Sequence, residues 1–258
     1  MELIMAGLPP LPITAPVANP LPAGLYSAAT VIDAADDRHH GGLLLDSPNI
    51  GGQSGLWPTS CPTPAETPEK GGERPGPVMG PATVVWAADE CSTVGGDDQE
   101  ALARAAQILR LREQIEVEHW LLDQLMDVAE VQQSNDLLDA LEQFEVTAGV
   151  IHAAPSVIHA NRGVLVELAA RYPGLVRREG QGFLTPGGHR WAFGGGYADA
   201  GDDLVLTGPV TIRRGPVEAR VVVDPTTNRR LAVAERTIAA AWEGPVIATN
   251  PSAPAPAP

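Results

Sequence analysis

The pattern of apolar and polar residues changes character about a third of the way along the chain. Residues 1–95 contain 14 of the 25 prolines and only three basic residues. Because proline fixes its φ angle and has no backbone N–H, segments 8–22 and 57–81 cannot donate regular backbone hydrogen bonds at every proline. We therefore predict that they are extended arms or long loops, which in most proteins are either functional or disordered.

The most regular apolar pattern predicts a long amphipathic helix over about residues 97–131. Apolar side chains recur there at spacings of three and four, as the helical period requires. Asp97 is a good N-cap, Glu100 completes a capping box, and no Gly or Pro follows until Gly149. Such a helix is roughly 50 Å long at about 1.5 Å per residue. This length exceeds what a compact subunit needs and suggests a rod that contacts neighbouring subunits.

Shorter patterns predict two further helices and a set of short strands. The helices are predicted over 135–144 and 160–171, and residues 225–228 are predicted to form a turn between strands. The chain is therefore predicted to be α+β, with mostly antiparallel strands. The predicted strands are 24–34, 82–88, 149–152, 182–185, 190–193, 203–207, 210–213, 219–224, 231–238 and 246–249.

The composition is that of a globular chain with a strong acidic excess. Its 258 residues include 32 Asp and Glu against 17 Lys and Arg, a formal net charge of −15, and 44% are hydrophobic. Because nucleic-acid affinity comes mainly from Lys and Arg that displace counterions, so acidic a chain is not expected to read nucleic-acid sequence. No stretch of about 20 residues is apolar enough to span a bilayer, and residues 1–22 lack the features of a secretory signal. We expect a soluble protein made in a cytoplasm.

Motifs of the common enzyme classes are missing from the sequence. It has no phosphate-binding loop, zinc-protease helix, hydrolase nucleophile elbow or dinucleotide fingerprint. Gly194–Gly196 is predicted to be a flexible turn, because no helix N-terminus or Lys follows it to hold a phosphate. We expect no catalytic residues, no cofactor and no enzymatic activity. Three Asp pairs are assigned to caps and turns: Asp36–Asp37, Asp97–Asp98 and Asp202–Asp203.

Two neighbouring histidines raise the question of a metal site. His39 and His40 follow Asp36 and Asp37, and side chains of both types bind transition metals. Adjacent residues of a strand point to opposite faces, so a joint site would need a loop and further ligands. A solvated polar turn without metal is therefore the favoured interpretation. The other histidines singled out are expected to be packed or surface residues: His119, His152 and His159.

The two cysteines, Cys61 and Cys91, leave two states open. They lie 30 positions apart without a CxxC pair or clustered histidines, so metal-ligand spacing is missing. Free thiols are the first alternative. The second is a disulfide, which would stabilise the folded state by about 3 kcal/mol and would suit a particle that survives outside a cell.

The order of these features resembles one protein family. An N-terminal arm, a long irregular loop, a strand and a capped long helix come first, and a mixed middle region and a closing strand pair follow. The chain resembles tailed-bacteriophage capsid proteins of the Hong Kong 97 type, especially those of actinobacteriophages, over about residues 20–250. The segments that carry the resemblance are 21–30 (LPAGLYSAAT), 86–91 (WAADEC), 149–155 (GVIHAAP), 184–188, 194–199, 204–213, 231–238 and 244–249.

The resemblance implies a Hong Kong 97-type capsid fold, which is α+β with an N-arm, an extended loop, a long spine helix, and peripheral and axial domains. Because arms and Pro-rich loops bury little apolar area by themselves, we expect them to become ordered only against neighbouring copies. The implied organisation is an N-terminal arm at 1–45, the extended loop at 46–81, the peripheral domain with the spine helix at 82–133, the axial domain at 134–214, returning peripheral strands at 215–250, and an Ala/Pro tail at 251–258.

The resemblance also implies a function and partners. The chain would be a major capsid protein, a structural subunit that self-assembles in the host cytoplasm into hexamers and pentamers of an icosahedral virion capsid around the viral DNA. Further partners would be portal, scaffold or decoration proteins, with no sequence-specific nucleic acid and no membrane. The open alternatives are a minor capsid, decoration, tail or connector protein and an encapsulin-type bacterial shell.

Some capsids of this type form a covalent bond between a loop Lys and an Asn of a neighbour, helped by a Glu. Lys70, the single lysine of the chain, lies in the extended loop, and Asn228 and Asn250 are the acceptor candidates. An unbonded lysine in an exposed loop is the alternative, since the Gly- and Pro-rich context does not preorganise the side chain.

Overall fold

The structure of the protein, a computed structural model, describes residues 15–57, 59, 70–93 and 96–250. The helices of these ranges are α1 (Leu25–Ala28), α2 (Asp98–Met126), α3 (Leu137–Thr147) and α4 (Arg162–Arg171). The strands are β1 (Thr30–Asp33), β2 (Leu43–Leu45), β3 (Val78–Gly80), β4 (Ala82–Ser92), β5 (Glu130–Gln133), β6 (Val157–Asn161), β7 (Arg177–Glu179), β8 (Gly182–Leu184), β9 (Arg190–Gly194), β10 (Leu204–Thr207), β11 (Val210–Arg214), β12 (Glu218–Asp224), β13 (Arg229–Trp242) and β14 (Ile247–Asn250).

The first sheet is built around β13. Strand β4 pairs antiparallel with one edge of β13, while β12 and β11 follow each other along the opposite edge. Strand β1 extends the sheet by pairing in parallel with β11. Because α2 packs against β4 and β13, one face of this sheet is covered by the long helix.

The second sheet has seven strands in the order β5-β14-β10-β6-β9-β8-β7. Helices α3 and α4 pack on one of its faces in a core that includes Trp191 and Phe193, whose rings stack with centroids 4.7 Å apart. Val157, Val205 and Ala248 belong to the other core cluster, which contains the buried face of α2. The second sheet therefore joins two hydrophobic cores.

The predicted long helix is present as α2. The side chain of Asp97 caps it by accepting a hydrogen bond from the backbone N of Gln99 at 2.9 Å. The helix ends at Met126 rather than near 131, because Val131 pairs with Ala248 between the parallel strands β5 and β14. A row of buried residues spaced by four faces the core: Ala101, Ala105, Leu109, Glu113, Val117, Leu121 and Leu125.

Part of the segment that the resemblance assigns to the N-terminal arm is packed into the subunit itself. Leu25 and Ala28 are buried on the short α1, and β1 pairs with β11. The predicted strand at 24–34 is therefore a helical turn followed by a shorter strand. The expectation that the arm is ordered only against neighbouring copies is wrong for residues 23–33, because Leu25 and Ala28 are buried in the subunit's own core.

The predicted strand at 149–152 is wrong. Residues Ala148–His152 form a π-helical turn that continues α3, and Ala153 ends it with a left-handed φ of 48°. Ala148 and His152 are buried four residues apart while Val150 between them is exposed, a helical rather than a strand periodicity. A short apolar run of this kind does not distinguish the two structures in the sequence.

Strand β6 was not predicted, although it is central to the second sheet. Val157, Ile158 and Ala160 are all buried, so the strand lacks the alternation of a half-exposed one. The predicted third helix accordingly begins two residues late, at Arg162 rather than 160. No helix within the described ranges is both long and apolar enough to cross a membrane.

Candidate assembly surface

The outer face of the first sheet, opposite α2, carries a group of exposed apolar side chains. Val85 and Ala87 of β4 point inward and are buried, while Trp86 between them is 64% exposed. Cross-strand partners lie on the same face of a sheet, and Leu231 of β13 pairs with Val222 of β12. We name this surface the Trp86 face; its exposed apolar residues are Val84, Trp86, Val222 and Leu231.

Charged side chains on the Trp86 face are paired with one another. Arg220 lies 2.5 Å from Glu235, the residue that pairs across the strands with Trp86. Arg229 lies 2.6 Å from Glu90 on the neighbouring strand. Grouped apolar residues with a polar surround are typical of protein interaction sites. Because these charges are already compensated, a partner of this surface needs shape and apolar area rather than opposite charge.

The extended loop carries a second exposed apolar group. Strands β2 and β3 pair at its base. Farther along, Leu56 is 95% exposed, and the ammonium of Lys70 lies 4.4 Å from the centroid of the Trp57 ring. This cation–π contact joins the two sides of the loop. The part of the loop around Leu56 therefore has little contact with its own subunit.

The base of the extended loop is anchored on two segments, the turn between β10 and β11 and the segment between β13 and β14. Ile50 is buried and lies against Gly208 and Gly244, where a Cβ atom would come within 2.6 Å and 3.1 Å of its side chain. The carboxylate of Glu243 accepts hydrogen bonds from the backbone and side-chain nitrogens of Asn49. The loop thus leaves the subunit from a fixed point.

A third exposed apolar group lies on α3 and the π-helical turn. Val146, Val150 and Ile151 are exposed there. Beside them a cavity of about 300 Å³ is lined by Leu138 and Leu175 among other residues. The two core clusters leave these side chains uncovered, so this edge of the second sheet is a further candidate contact surface.

Buried ion pairs join α2 to the first sheet and to α1. Glu113 accepts a hydrogen bond from Tyr26 Oη at 2.8 Å and pairs with Arg214 at 3.1 Å and Arg236 at 3.3 Å. Burial, followed by the charge of Glu113, raises the pKa of Tyr26. A hydrogen bond from Arg214 lowers the pKa of Asp33 on β1. These pairs close the floor of a cavity of about 510 Å³ between the arm and α2.

His159 is the centre of a fully satisfied polar group on the second sheet. Tyr197 Oη lies 2.8 Å from Nδ1 and Thr207 Oγ1 lies 3.1 Å from Nε2. Thr207 donates its own hydroxyl hydrogen to the carbonyl of Gly208, so the network assigns Nε2–H as donor and Nδ1 as acceptor. Burial lowers the pKa of His159 from 6.5 to about 3, which keeps the ring neutral.

A second histidine network links the π-helical turn to the second sheet. His152 lies 2.8 Å from Ser156 Oγ and 3.1 Å from the carbonyl of Pro245. His189 accepts from the backbone N of Ser156 and lies 3.2 Å from Glu145. Burial lowers the pKa of His152. Ser156 is completely buried, and its hydroxyl and backbone nitrogen join His152 and His189 in one network.

The residues predicted for a covalent bond or a disulfide lie on separate elements. Lys70 is in the loop over Trp57. Asn228 is in the predicted turn at 225–228, with φ of 57° and hydrogen bonds to Thr93. Asn250 is the last residue of β14. Cys91 lies on β4 and packs against the first core, whereas Cys61 lies outside the described residues. The bond and the disulfide stay predictions.

The histidine turn differs from the solvated turn that was predicted. His39 is only 2% exposed, and its Nε2 lies 3.2 Å from the carbonyl of Thr237 on β13. His40 and Asp36 are exposed as expected, and Asp36 pairs with Arg213 at 3.2 Å. Among the residues that the structure describes, no three His, Cys, Asp or Glu side chains are grouped in a way that could hold a metal ion.

The polar residues that matter most for packing were missed in the sequence. Glu113 and Glu118 lie on the buried side of α2, where the apolar row of the helix predicts Leu or Val. The signal available in the sequence was a glutamate at a position where the apolar row of the helix continues, which indicates a buried carboxylate with partners. Of the three Asp pairs, Asp97 is confirmed as a cap, and burial together with the charge of Asp202 raises the pKa of Asp203.

Comparisons with known proteins find similarity in structure and none in sequence. No protein-family model and no curated protein matches the chain. A virus-like particle from Pyrococcus furiosus matches with a TM-score of 0.55 at 10% identity, over 89% of this chain and 92% of that chain. A chain from Mycobacterium phage Adephagia has a TM-score of 0.54 at 12% identity, over 93% and 92%. A chain from Microbacterium phage Oxtober96 has a TM-score of 0.54 at 10% identity, over 94% and 96%.

Identities this low show the fold alone. At that level the predicted resemblance is confirmed, since the matches extend over almost the whole length of both chains. The chain has the mixed helix-and-sheet fold of the virus-like particle chain and of these two phage chains.

Proposed function

We propose that the chain is the self-assembling structural subunit of an icosahedral phage capsid, a major capsid protein whose hexamers and pentamers enclose the viral DNA. The observation that carries this proposal is a pair of uncovered apolar surfaces in a subunit with a shell-protein fold. Trp86 on the Trp86 face and Leu56 in the extended loop are both largely exposed among the described residues. Apolar surfaces of this kind are stabilised by burial against another chain.

The proposed organisation follows the Hong Kong 97 type. Residues 1–45 form the N-arm, of which 23–33 are packed into the subunit's own body, 46–81 form the extended loop, and 82–133 with 215–250 form the peripheral domain around the spine helix α2. Residues 134–214 form the axial domain around the capsomer axes, and 251–258 form the tail. In support, the loop leaves from the fixed contacts of Ile50, and α2 packs along the first sheet. The exposed apolar turn after α3 gives the axial domain its own contact surface.

The contacts between copies are proposed to be heterologous, with different surfaces of the subunit meeting. Such contacts close into rings when the rotation between copies is a simple fraction of a turn, as in hexamers and pentamers. The loop of one copy would lie on the Trp86 face of the next, burying Leu56 and Trp86 together. A net charge of −15 suits a wall that packaged DNA does not adhere to.

Structural proteins of the same particle are the proposed further partners, namely portal, scaffold and decoration proteins. The protein is proposed to have no enzymatic activity beyond the self-crosslinking that Lys70 with Asn228 or Asn250 would allow. That crosslink has a simple test, because particles that yield only monomers of about 27.0 kDa on a denaturing gel would exclude it. A non-reducing gel tests the pairing of Cys61 with Cys91 in the same way.

A bacterial or archaeal encapsulin-type shell is the second candidate. The match to a virus-like particle from a cellular organism, Pyrococcus furiosus, favours it. Both candidates predict a closed particle, and its contents separate them. DNA inside particles from infected or induced cells supports the capsid, whereas a packaged protein supports the second candidate.

Electron microscopy of the purified chain, with sedimentation velocity over a range of concentrations, tests self-assembly. We expect capsomers or closed particles to form. A monomer that persists at high concentration, with and without co-expressed neighbouring genes, would overturn the proposed function.

A further inference from the structure

Glu118 on α2 is a completely buried carboxylate that binds two distant parts of the backbone. Its Oε1 accepts a hydrogen bond from the backbone N of Leu25 at 2.8 Å, and its Oε2 accepts one from the backbone N of Gly196 at 3.0 Å. Leu25 begins α1, within the proposed N-arm, and Gly196 lies in the turn after β9. One side chain therefore fixes the arm to the long helix and to the second sheet.

Three glycines surround this carboxylate closely. A Cβ atom at Gly24 would overlap Glu118 Oε1, and one at Gly194 would overlap its Oε2. A Cβ atom at Gly196 would overlap the carbonyl of Ile115 on α2. The middle residue of the turn, Gly195, has room, since its Cβ would lie 3.6 Å from the nearest atom. The Gly194–Gly196 segment is thus a close-packed turn built around Glu118.

The arm is held at further points along the same course. Gln107 and Arg110 of α2 each donate to the carbonyl of Ala18 at 2.9 Å. Arg162 donates to the carbonyl of Pro22 at 3.0 Å, and the backbone N of Phe193 donates to Ala23 at 2.8 Å. The arm therefore runs outward from Glu118 past Arg162 to Arg110 and Gln107, and the described residues before Ala18 are exposed.

A carboxylate suits this position better than any other side chain of the same size. Both partners are N–H donors, and only an ionised carboxyl offers an acceptor to each of them. A glutamine would accept from one N–H and turn its own NH₂ toward the other. Arg162 contributes the nearby positive charge that favours the ionised form, whereas burial of the group acts in the opposite direction and raises the pKa of Glu118.

We propose that Glu118 is a positioning residue that sets the course of the N-terminal arm from its own subunit toward the neighbouring copy. This inference rests on the proposed function, because the arm has a neighbour to reach only in an assembly. The anchoring itself is a property of the single subunit and is testable without assembly.

Hydrogen–deuterium exchange of the unassembled subunit, resolved to single amides, tests the anchoring. We expect Glu118→Ala to raise exchange at Leu25 and Gly196 by about tenfold or more, while Leu168 in the other core is unchanged. Glu118→Gln is expected to raise the exchange rate at only one of these two amides, Leu25 or Gly196. Glu116→Gln is the matched control, because that half-exposed carboxylate pairs with Arg112 instead. Unchanged exchange at the amides of Leu25 and Gly196 would overturn the inference. If Glu118→Ala does not fold, the exchange rates of Glu118→Gln provide the test instead.

Electron microscopy of the same variants tests the consequence for assembly. We expect Glu118→Gln to give fewer or misassembled particles at concentrations where wild type and Glu116→Gln give closed ones. Normal particles from Glu118→Gln in spite of raised exchange would overturn the positioning role and leave the proposed function intact. A wild type that never assembles would overturn the proposed function, and the exchange result would still report on the anchoring.

Discussion

Single buried polar residues fix how the parts of this subunit meet. His159 on β6 joins Tyr197 to Thr207 of the neighbouring strand β10, and Glu113 joins α2 to Arg214 and Arg236. Each polar atom described in these groups has a partner, which is the condition under which burial of polar groups is tolerated. Replacing one of these buried residues should therefore lower the free energy of unfolding more than removing an exposed ion pair does.

Acid stability is expected to depend on His159. Burial lowers its pKa from 6.5 to about 3, so between these values the unfolded chain binds a proton there and the folded protein does not. The free energy of unfolding therefore falls with decreasing pH across this window, by up to about 1.4 kcal/mol per pH unit. Urea unfolding at several pH values measures it. His159→Gln should be less stable at pH 7 but should show a shallower dependence below 6.5.

The control for this prediction is His119→Gln, which replaces a half-exposed histidine that lies 3.4 Å from Asp199. Its pH dependence between 6.5 and 3 should follow the wild type more closely than that of His159→Gln. Equal slopes for wild type and His159→Gln would show that His159 is not kept neutral by burial.

The glycine turn offers a matched pair of substitutions. Gly196→Ala places a methyl group against the backbone of α2, where neither side can move freely, and should lower the free energy of unfolding by about 1–3 kcal/mol. Gly195→Ala meets only an ordinary contact with Ile115 and should be close to wild type. Denaturant unfolding monitored by tryptophan fluorescence compares the two. A Gly196→Ala protein as stable as Gly195→Ala would mean that the turn is not packed against α2.

At the scale of elements, the sequence predicts those helices and strands that are determined by residues close together in the chain. The N-cap and apolar row of α2 identify the helix, and the alternation in β4 and β13 identifies two strands of the first sheet. It does not predict β6, because a strand buried on both faces has no alternation. It also misses the pairing of β1 with β11, which joins residues about 180 positions apart and depends on the packed fold.

The same distinction applies to the candidate assembly surface. Strand β4 was predicted, but which of its faces α2 covers follows only from tertiary packing. The exposure of Trp86 is therefore visible in the structure and not in the sequence. The extended loop was predicted from its prolines, since their effect on the backbone is local.

The Trp86 face gives an element-scale prediction about assembly. Trp86→Lys introduces a charge at an exposed position beside Glu235, so the free energy of unfolding should change by less than about 0.5 kcal/mol. Burial of that charge between copies would be costly, and particles should fail to form. Thermal unfolding and electron microscopy measure the two effects, with Trp86→Phe as the conservative control. Closed particles from Trp86→Lys would remove this face from the assembly contacts.

At the scale of the whole molecule, the subunit consists of a well-packed body and segments that leave it. Residues 23–33 belong to the body, since Leu25 is buried and β1 is part of the first sheet. The described parts of the extended loop are exposed almost throughout 51–57 and 70–77. The body can be stable in one copy, whereas the loop gains apolar contacts only from another chain.

Hydrogen exchange before and after assembly separates these two classes of segment. In the unassembled subunit we expect slow exchange at 25–33 and fast exchange at 51–57 and 71–77, because backbone amides of the exposed loop have few partners within the subunit. In closed particles exchange at 51–57 should slow by about tenfold or more while 25–33 changes little. Loop amides that exchange slowly in the single subunit, or equally fast in both states, would contradict the role of the loop as a contact between copies. The physical reason is that a segment without an interior of its own is protected only where a neighbouring copy excludes water from it.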